Sequence, residues 1–496
     1  MEDHSSVDDK VDVKSQDIED PDAGLSFEER EKIDRDLVRR LDYKLIPWLC
    51  LLYLFNFLDR TNIGNAKIEG LIDDLHMTQG QYNACLSIFF VACVVFEPIS
   101  NTLLKLMRPS IYIPIIVTIC GLCMLGMGFC KNYPQMMVAR MFLGLAEAGL
   151  YPGVNYYLSC WYKRRELGIR AAIFFSAAAV SGSFGGLLAA AISQMNGVAG
   201  LRGWAWIFII EGLATVVIGF ISFWMVHDFP DDAKFLNEQD RQRVLRRLRD
   251  DQQSSGGASA SEDFKMEYFW QSVKDWKTWT GSVIYMGVDG ALYAFALFLP
   301  SIIKDLGYST TRAQLLSVPP YAAACILTIV VGLWSDRTNK RGIYNICTSV
   351  IGVVGFCILL GSKGRNPALS YVATFLGALG IYPAICNTIT WVSNNVEGVY
   401  KRGVTLGFVI GWGNLNGIVA ANVYPVKDAP HYTLGHSIVV GYLTIGLFGG
   451  SVLNYYLLNR ENNKRRNGER DHWVKGKTAK EIEMMGDMRP DFLYTL

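Results

Sequence analysis

Apolar runs of roughly 20 residues recur from near residue 45 to near residue 458, separated by short polar stretches. That is the length a helix needs to cross about 30 Å of hydrocarbon. Windowed hydropathy predicts twelve membrane-spanning helices, at roughly 45–63, 82–103, 110–130, 134–158, 169–193, 204–227, 281–303, 314–335, 343–362, 368–392, 403–425 and 434–458. The expected fold class is an all-α membrane protein. The most polar interruption, 228–278, opens "DFPDDAKFLNEQDRQRVLRRLRDDQQSSGGASASEDFK". It reads as a charged helix followed by a Ser/Gly-rich linker, and it splits the spans into six and six.

The two sets of six resemble each other. "DDLHMTQGQ" at 73–81 aligns with "KDLGYSTTR" at 304–312, Asp74 to Asp305 being an offset of 231. "AGLYPG" at 148–153 aligns with "LGIYPA" at 379–384 at the same offset, and Arg108/Tyr112 with Arg341/Tyr344 at nearly the same one. A fixed offset marks an internal repeat. Two parallel six-helix repeats form pseudo-symmetric bundles with the substrate site between them, near the membrane midplane.

Basic residues set the expected orientation. They cluster before the first span (Arg35, Arg39, Arg40, Lys44) and in the second-to-third, fourth-to-fifth, eighth-to-ninth and tenth-to-eleventh loops. The tail after the last span also carries them (Arg460, Lys464, Arg465, Arg466). That alternation puts both termini in the cytosol. The first ~40 residues are hydrophilic and acidic, without the apolar core of a signal peptide, and read as a partly disordered cytosolic tail. The domain organisation expected is a tail over 1–40, six-helix bundles over 41–227 and 281–458, a cytosolic central loop over 228–280, and a cytosolic tail over 459–496.

Composition narrows the function. The chain is 51% hydrophobic and 19% charged, below the roughly 25% of a soluble chain. Its net charge of +1 gives no reason to expect a nucleic-acid partner. The 11 cysteines lie mostly in apolar runs; Cys120 and Cys123 form a CxxC with no second pair, which points to packing rather than metal. No nucleotide loop or nucleophile–base pair stands out, so an enzyme fits poorly and no cofactor is expected.

A charge at the centre of a membrane helix costs about 2.5–3.5 kcal/mol on insertion scales, so those that occur are functional or paired. The candidates are Asp59, Arg60, Arg140, Glu147, Glu211, Asp289 and His436, with Glu97 near a helix end and less costly. At 1.5 Å per residue, Asp59 and Arg60 in "FLDRTN" lie about 21–23 Å into the first span, past the midplane. Arg140 and Glu147, seven residues apart, form one stripe on the antiparallel fourth span. The expectation is one central site holding all four, balanced at two charges of each sign. A monoanionic substrate upsets that balance unless a carboxylate takes up a proton. Proton-coupled anion symport follows, with the Arg forks binding a carboxylate and Asp59 and Glu147 carrying the proton. The alternative is that Asp59–Arg60 locks helix packing and Arg140 pairs permanently.

Asp289 falls within one residue of Asp59 under the repeat offset and joins the proton-coupling set. For Glu211 a structural pair is expected, and for His436 a cap or surface role. Tyr53, Tyr151, Tyr285, Tyr293 and Trp391 are candidates for lining the site, with Asn62 and Asn414 as polar contacts; Tyr382, Trp412 and Asn416 are softer candidates of the same kinds.

"FLDRTNIGNAKIEGL", "RMFLGLAEAGLYPGVNYYLSCWYKRRE" and "GLWSDRTNKR" (332–341) carry a family resemblance. Over about residues 35–460 the chain resembles a major facilitator of the anion:cation symporter family, in its fungal allantoate-permease branch. The resemblance implies that Arg60 binds the substrate carboxylate and that Arg140 and Glu147 couple it to the proton. Asp59 would be a second proton site, as in some members. It implies a cytosolic latch made by Asp336, Arg337 and Arg341. It also implies a plasma-membrane importer, monomeric in the bilayer, of a small organic acid such as allantoate, nicotinate or pantothenate. The aromatic content favours nicotinate. Ala205 stands where the branch often has Arg, and the fifth span lacks the Gly-Pro motif of drug:proton antiporters. A proton-independent uniporter or effluxer of an organic anion, or a nutrient-sensing transceptor, are the rival functions.

Overall fold

The computed structural model describes residues 21, 22, 24–253, 266–362, 366–397, 399–425, 428, 429, 431–478, 481, 482 and 485–496. Among these residues the chain is helical, with no strand, and eleven helices are long and apolar enough to cross a membrane. The twelfth expected span, the fourth, is two helices in sequence, Tyr133–Glu147 and Leu150–Ser159, interrupted directly after Glu147. The other spans are Phe27–Ile68, Gln79–Leu106, Pro109–Met127, Arg164–Ile192, Gly203–Met225, Trp276–Asp305, Thr310–Thr338, Arg341–Ser362, Pro367–Asn394, Val399–Val423 and a last one over Thr433–Arg466. The first span pairs with the seventh, the second with the eleventh, and the fifth with the eighth and tenth. The central space lies between these helices.

The first helix corrects one expectation. It begins at Phe27, inside the stretch read as an unstructured tail, behind a capping box made by Ser26 and Glu29. Its charged extension buries Leu37 and Leu41 and pairs with the charged helix Glu238–Gln253. Arg40 meets Asp240 at 2.8 Å, and Arg246 and Arg247 each reach Asp34 at 3.3 Å. Residues 1–20 and the Ser/Gly-rich stretch 254–265 lie outside the described residues.

The repeat is visible in the turns. His76 (φ 50°) and Gly307 (φ 98°), related by the offset of 231, both take the left-handed conformation that ends one element. Two residues on, Thr78 and Ser309 each accept a backbone N–H as the N-cap of the next span. Asp74 accepts from the Trp204 indole at 2.8 Å, and Asp305 accepts from the Tyr432 hydroxyl. Each aromatic stands at the start of its half's sixth span, so acid and aromatic tie corresponding corners of the two halves. Gly307→Val is expected to lower stability by about 1–2 kcal/mol through the left-handed penalty, whereas His76→Gly relieves it. Paired thermal unfolding curves in one detergent check the opposite signs.

The last residues are built into the second half. Asn462 donates to the Tyr494 carbonyl and accepts from its N–H, both at 2.8 Å. Asn395 does the same for Thr495 at 3.0 and 2.8 Å. Two side-chain amides thus read consecutive backbone units as a neighbouring strand would. Asp487 is 1% exposed and ion-paired with Lys277 and with Lys401 (2.7 Å), which also share Asp275. Burial alone would raise the Asp487 carboxyl, but the two ammonium groups hold it below the usual carboxylate range. Its contribution is therefore complete at neutral pH and fades only as pH falls through that lowered value. Asp487→Ala leaves two buried ammonium groups on one carboxylate and is expected to cost about 3 kcal/mol, read as a lower melting temperature at neutral pH.

Candidate functional site

Between the halves lies a small enclosed cavity of about 20 Å³, room for about one water molecule. It is shut at both ends. At one end Gln314 donates to Glu69 (3.0 Å), Lys304 to the Ile68 carbonyl (3.2 Å) and Ser183 to the Val318 carbonyl (3.2 Å). At the other, Asp336 and Arg341 are ion-paired, and Arg341 also reaches Ser335 and Asn387 at 3.3 Å. Gly168 at the start of the fifth span lies so close that a Cβ there would strike both Asp336 and Arg341. Cys386 donates to the Ala171 carbonyl beside them. Asp336 and Arg341 thus sit at a contact between the halves. Arg337 is exposed and makes no ion pair or hydrogen bond among the described residues, so the structure leaves it out of that contact.

Arg60 is the cation of the cavity. Its Nε and Nη2 both lie 3.0 Å from Glu147 Oε2, and its Nη1 donates to the Tyr293 hydroxyl at 2.7 Å. It joins the first, fourth and seventh spans. Its guanidinium carbon sits 5.4–5.9 Å from the ring centres of Phe57, Phe89 and Tyr293. The Tyr293 O–H donates to Asn414 Oδ1 (2.9 Å), and Asn414 Nδ2 donates to Glu97 Oε2 (3.0 Å). The chain of bonds therefore runs from the first half into the second and back. Asp289 lines the same cavity, 1% exposed, with Oδ2 lacking a partner among the described residues. Tyr53, Tyr151 and Tyr285 line it, together with Phe57 and Phe175. Tyr53 stacks on Tyr151 with centroids 5.4 Å apart.

Four expected placements differ. Asp59 does not line the cavity; it accepts from Thr215 in the sixth span at 3.3 Å, with Oδ2 lacking a partner among the described residues. Adjacent helix residues point roughly 100° apart, and here that rotation turns Asp59 to the sixth span while Arg60 faces the cavity. Arg140 is fully buried but lies beyond the lining, its guanidinium 4.8 Å from the Phe89 ring that Arg60 also approaches. Its Nε and Nη1 have no partner among the described residues. Asn62 accepts from Asn65 on its own helix and faces the fifth span near Gly185. Trp391 donates to the Thr495 carbonyl of the C-terminal segment at 2.9 Å and takes no part in the cavity. The softer candidates also lie elsewhere. Trp412 is 39% exposed and stacked on Phe408, and Asn416 accepts from Tyr442.

Glu211 has both carboxylate oxygens buried and without a partner among the described residues, contrary to the structural pair expected of it. His436 is buried against Tyr424 rather than at the surface. The cavity's balance is thus one cation against Glu147 and Asp289, with Glu97 attached through Asn414. Sequence reasoning set Glu97 aside; nothing local marks it, since its partner stands 317 positions away.

The model of the Major Facilitator Superfamily matches residues 49–421. The chain is 34% identical over 465 residues to the high-affinity nicotinic acid transporter of Saccharomyces cerevisiae, covering 93% of this chain and 85% of that one. It is 36% identical over 449 residues to an uncharacterised transporter of Schizosaccharomyces pombe, covering 90% and 91%. Among solved structures, the fold matches a bacterial homologue of the human lysosomal transporter Spinster, inward-facing and unoccupied. The TM-score is 0.61 at 15% identity, over 88% of this chain and 99% of that one. It also matches the partially occluded, inward-open xylose transporter XylE of E. coli, with TM-score 0.62 at 10% identity, over 81% and 96%. With its membrane-crossing helices and the central cavity between its halves, the chain is a multi-pass membrane transporter, not an enzyme, and belongs to the major facilitator superfamily.

Proposed function

We propose that this transporter imports a small organic carboxylate together with a proton, and that the carboxylate is nicotinate or a planar acid like it. The observation that carries the reading is Arg60, a buried guanidinium held between Glu147 and Tyr293 at the contact of the two halves. A carboxylate entering the cavity competes with Glu147 for the same fork. Glu147, released, is a buried anion without a contacting cation, and it takes up the proton that keeps the site's net charge unchanged. The stacked tyrosines offer an aromatic face on which a flat ring can lie. The likeness to a nicotinic acid transporter supports this class of substrate.

A cavity of about 20 Å³ holds no such acid. Substrate enters when one end opens and the halves rock about the Arg60 contact. Arg140, without partners at two of its nitrogens, is the second cation that such an opening brings into play. The reading places the protein in the plasma membrane as a monomer of two six-helix bundles, with both termini and the central loop in the cytosol. It belongs with the fungal allantoate-permease branch.

The test is uptake into proteoliposomes of a panel of labelled carboxylates, acidic outside, with and without a protonophore. Accumulation of one acid that the protonophore collapses supports symport and names the substrate. Equilibration without accumulation favours a uniporter. Uptake driven by the opposite proton gradient favours an effluxer.

A further inference from the structure

We propose that Glu97 is a second proton-binding site of the transport cycle, linked to the anion at Arg60 through the hydrogen-bond bridge of Asn414 and Tyr293. The inference rests on the reading of Arg60 as the anion site. Glu97 is 2% exposed, with Oε2 bound to Asn414 and Oε1 without a partner among the described residues. Around it stand Cys93 on its own helix, Arg60 on the first span, Asp289 and Tyr293 on the seventh, and Asn414 on the eleventh; none of these except Arg60 is a cation.

The bridge has a direction. Arg60 can only donate, an ionised carboxylate can only accept, and the phenol and amide between them each do both. In the observed arrangement every donor points from Arg60 towards Glu97. A proton carried on Oε2, the oxygen that meets Asn414, makes that end a donor too, whereas one on Oε1 would leave the bridge as it stands. The Asn414 amide then turns to offer its oxygen to Glu97 and its N–H to Tyr293. The phenol oxygen accepts from both Arg60 and Asn414, using its two lone pairs, and its own O–H loses its acceptor. That hydroxyl is left free to donate into the cavity, beside the Arg60 fork. A bound carboxylate supplies the acceptor. Protonation of Glu97 and binding of the anion therefore favour each other, and by reciprocity the anion draws a proton onto Glu97. The bridge crosses from one half to the other and back, so the linkage is made where the halves meet.

The experiment has two arms on purified full-length protein. The first follows carboxyl bands by infrared difference titration without ligand, in wild type, Glu97→Gln and Tyr293→Phe. The second measures nicotinate binding at about pH 5.5 and about pH 7.5. A titrating band absent from Glu97→Gln and displaced in Tyr293→Phe is expected. So is wild-type binding about tenfold tighter at the acid pH, with a clear part of that dependence lost in Glu97→Gln and the remainder carried by Glu147. Tyr293→Phe, which cuts the bridge while keeping the ring, is expected to lose the same part. The proposal is overturned if no band is lost in Glu97→Gln, if the band titrates alike in Tyr293→Phe, or if Glu97→Gln keeps the full pH dependence of binding. If nicotinate and the other acids fail to bind wild type while the Glu97 band still moves with Tyr293→Phe, the proton site and its link to Tyr293 stand. The anion reading of Arg60 then falls.

Discussion

Arg60→Ala is expected to reduce carboxylate uptake to background and to weaken binding by about 2–5 kcal/mol, roughly 30-fold to several thousand-fold. The reason is geometric as much as electrostatic. The guanidinium meets Glu147 edge-on through Nε and Nη2 while its Nη1 holds Tyr293. A substrate carboxylate that displaces Glu147 inherits that edge and makes two charge-assisted bonds in a buried site. Alanine removes both bonds and the only cation lining the cavity among the described residues. Arg60→Lys separates charge from shape. One ammonium group keeps the charge but cannot span Glu147 and Tyr293 together, so binding is expected to fall between the two. Titration of nicotinate against wild type, Arg60→Lys and Arg60→Ala, with melting temperatures as a check on folding, reads the order. Wild-type affinity in a folded Arg60→Ala protein would remove Arg60 from the anion site.

The spans were legible in the sequence because hydropathy acts along the chain, and the repeat because its turns keep their chemistry. The left-handed residue and Ser/Thr cap of the second turn stand at 307 and 309, as 76 and 78 do in the first. Arg60 and Glu147 were legible because a charge deep in an apolar run has few reasons to be there. Rotation about the helix axis was not. Asp59 neighbours Arg60 in sequence and turns to Thr215, behind the first span. Partners remote in sequence were not legible either. Trp391 looked like a cavity aromatic and instead meets Thr495, while Glu97 looked peripheral and is tied to Arg60 through two residues of the other half. A side chain's facing depends on packing that no window of residues contains.

Glu147→Gln is expected to abolish proton-driven accumulation while leaving exchange of labelled for unlabelled substrate across the membrane. Glutamine keeps the oxygen that accepts from Arg60, so the cavity's shape and its hydrogen bond persist. What it removes is the charge that neutralises Arg60 when no substrate is present. A loaded carrier still has an anion on the guanidinium and can reorient. The empty carrier has a buried cation that has lost the one carboxylate in contact with it, Asp289 lining the cavity without touching it, a penalty of several kcal/mol. Its return step slows about a hundredfold or more, since each 1.36 kcal/mol is tenfold in rate. Net uptake requires that return; exchange does not. Counterflow and gradient-driven uptake measured on the same proteoliposomes separate the two. Loss of both would mean that the carboxylate is needed to bind substrate or to hold the halves together. Normal accumulation that still collapses with a protonophore would show that the proton enters by another acid, and Glu147 would then be only the structural partner of Arg60.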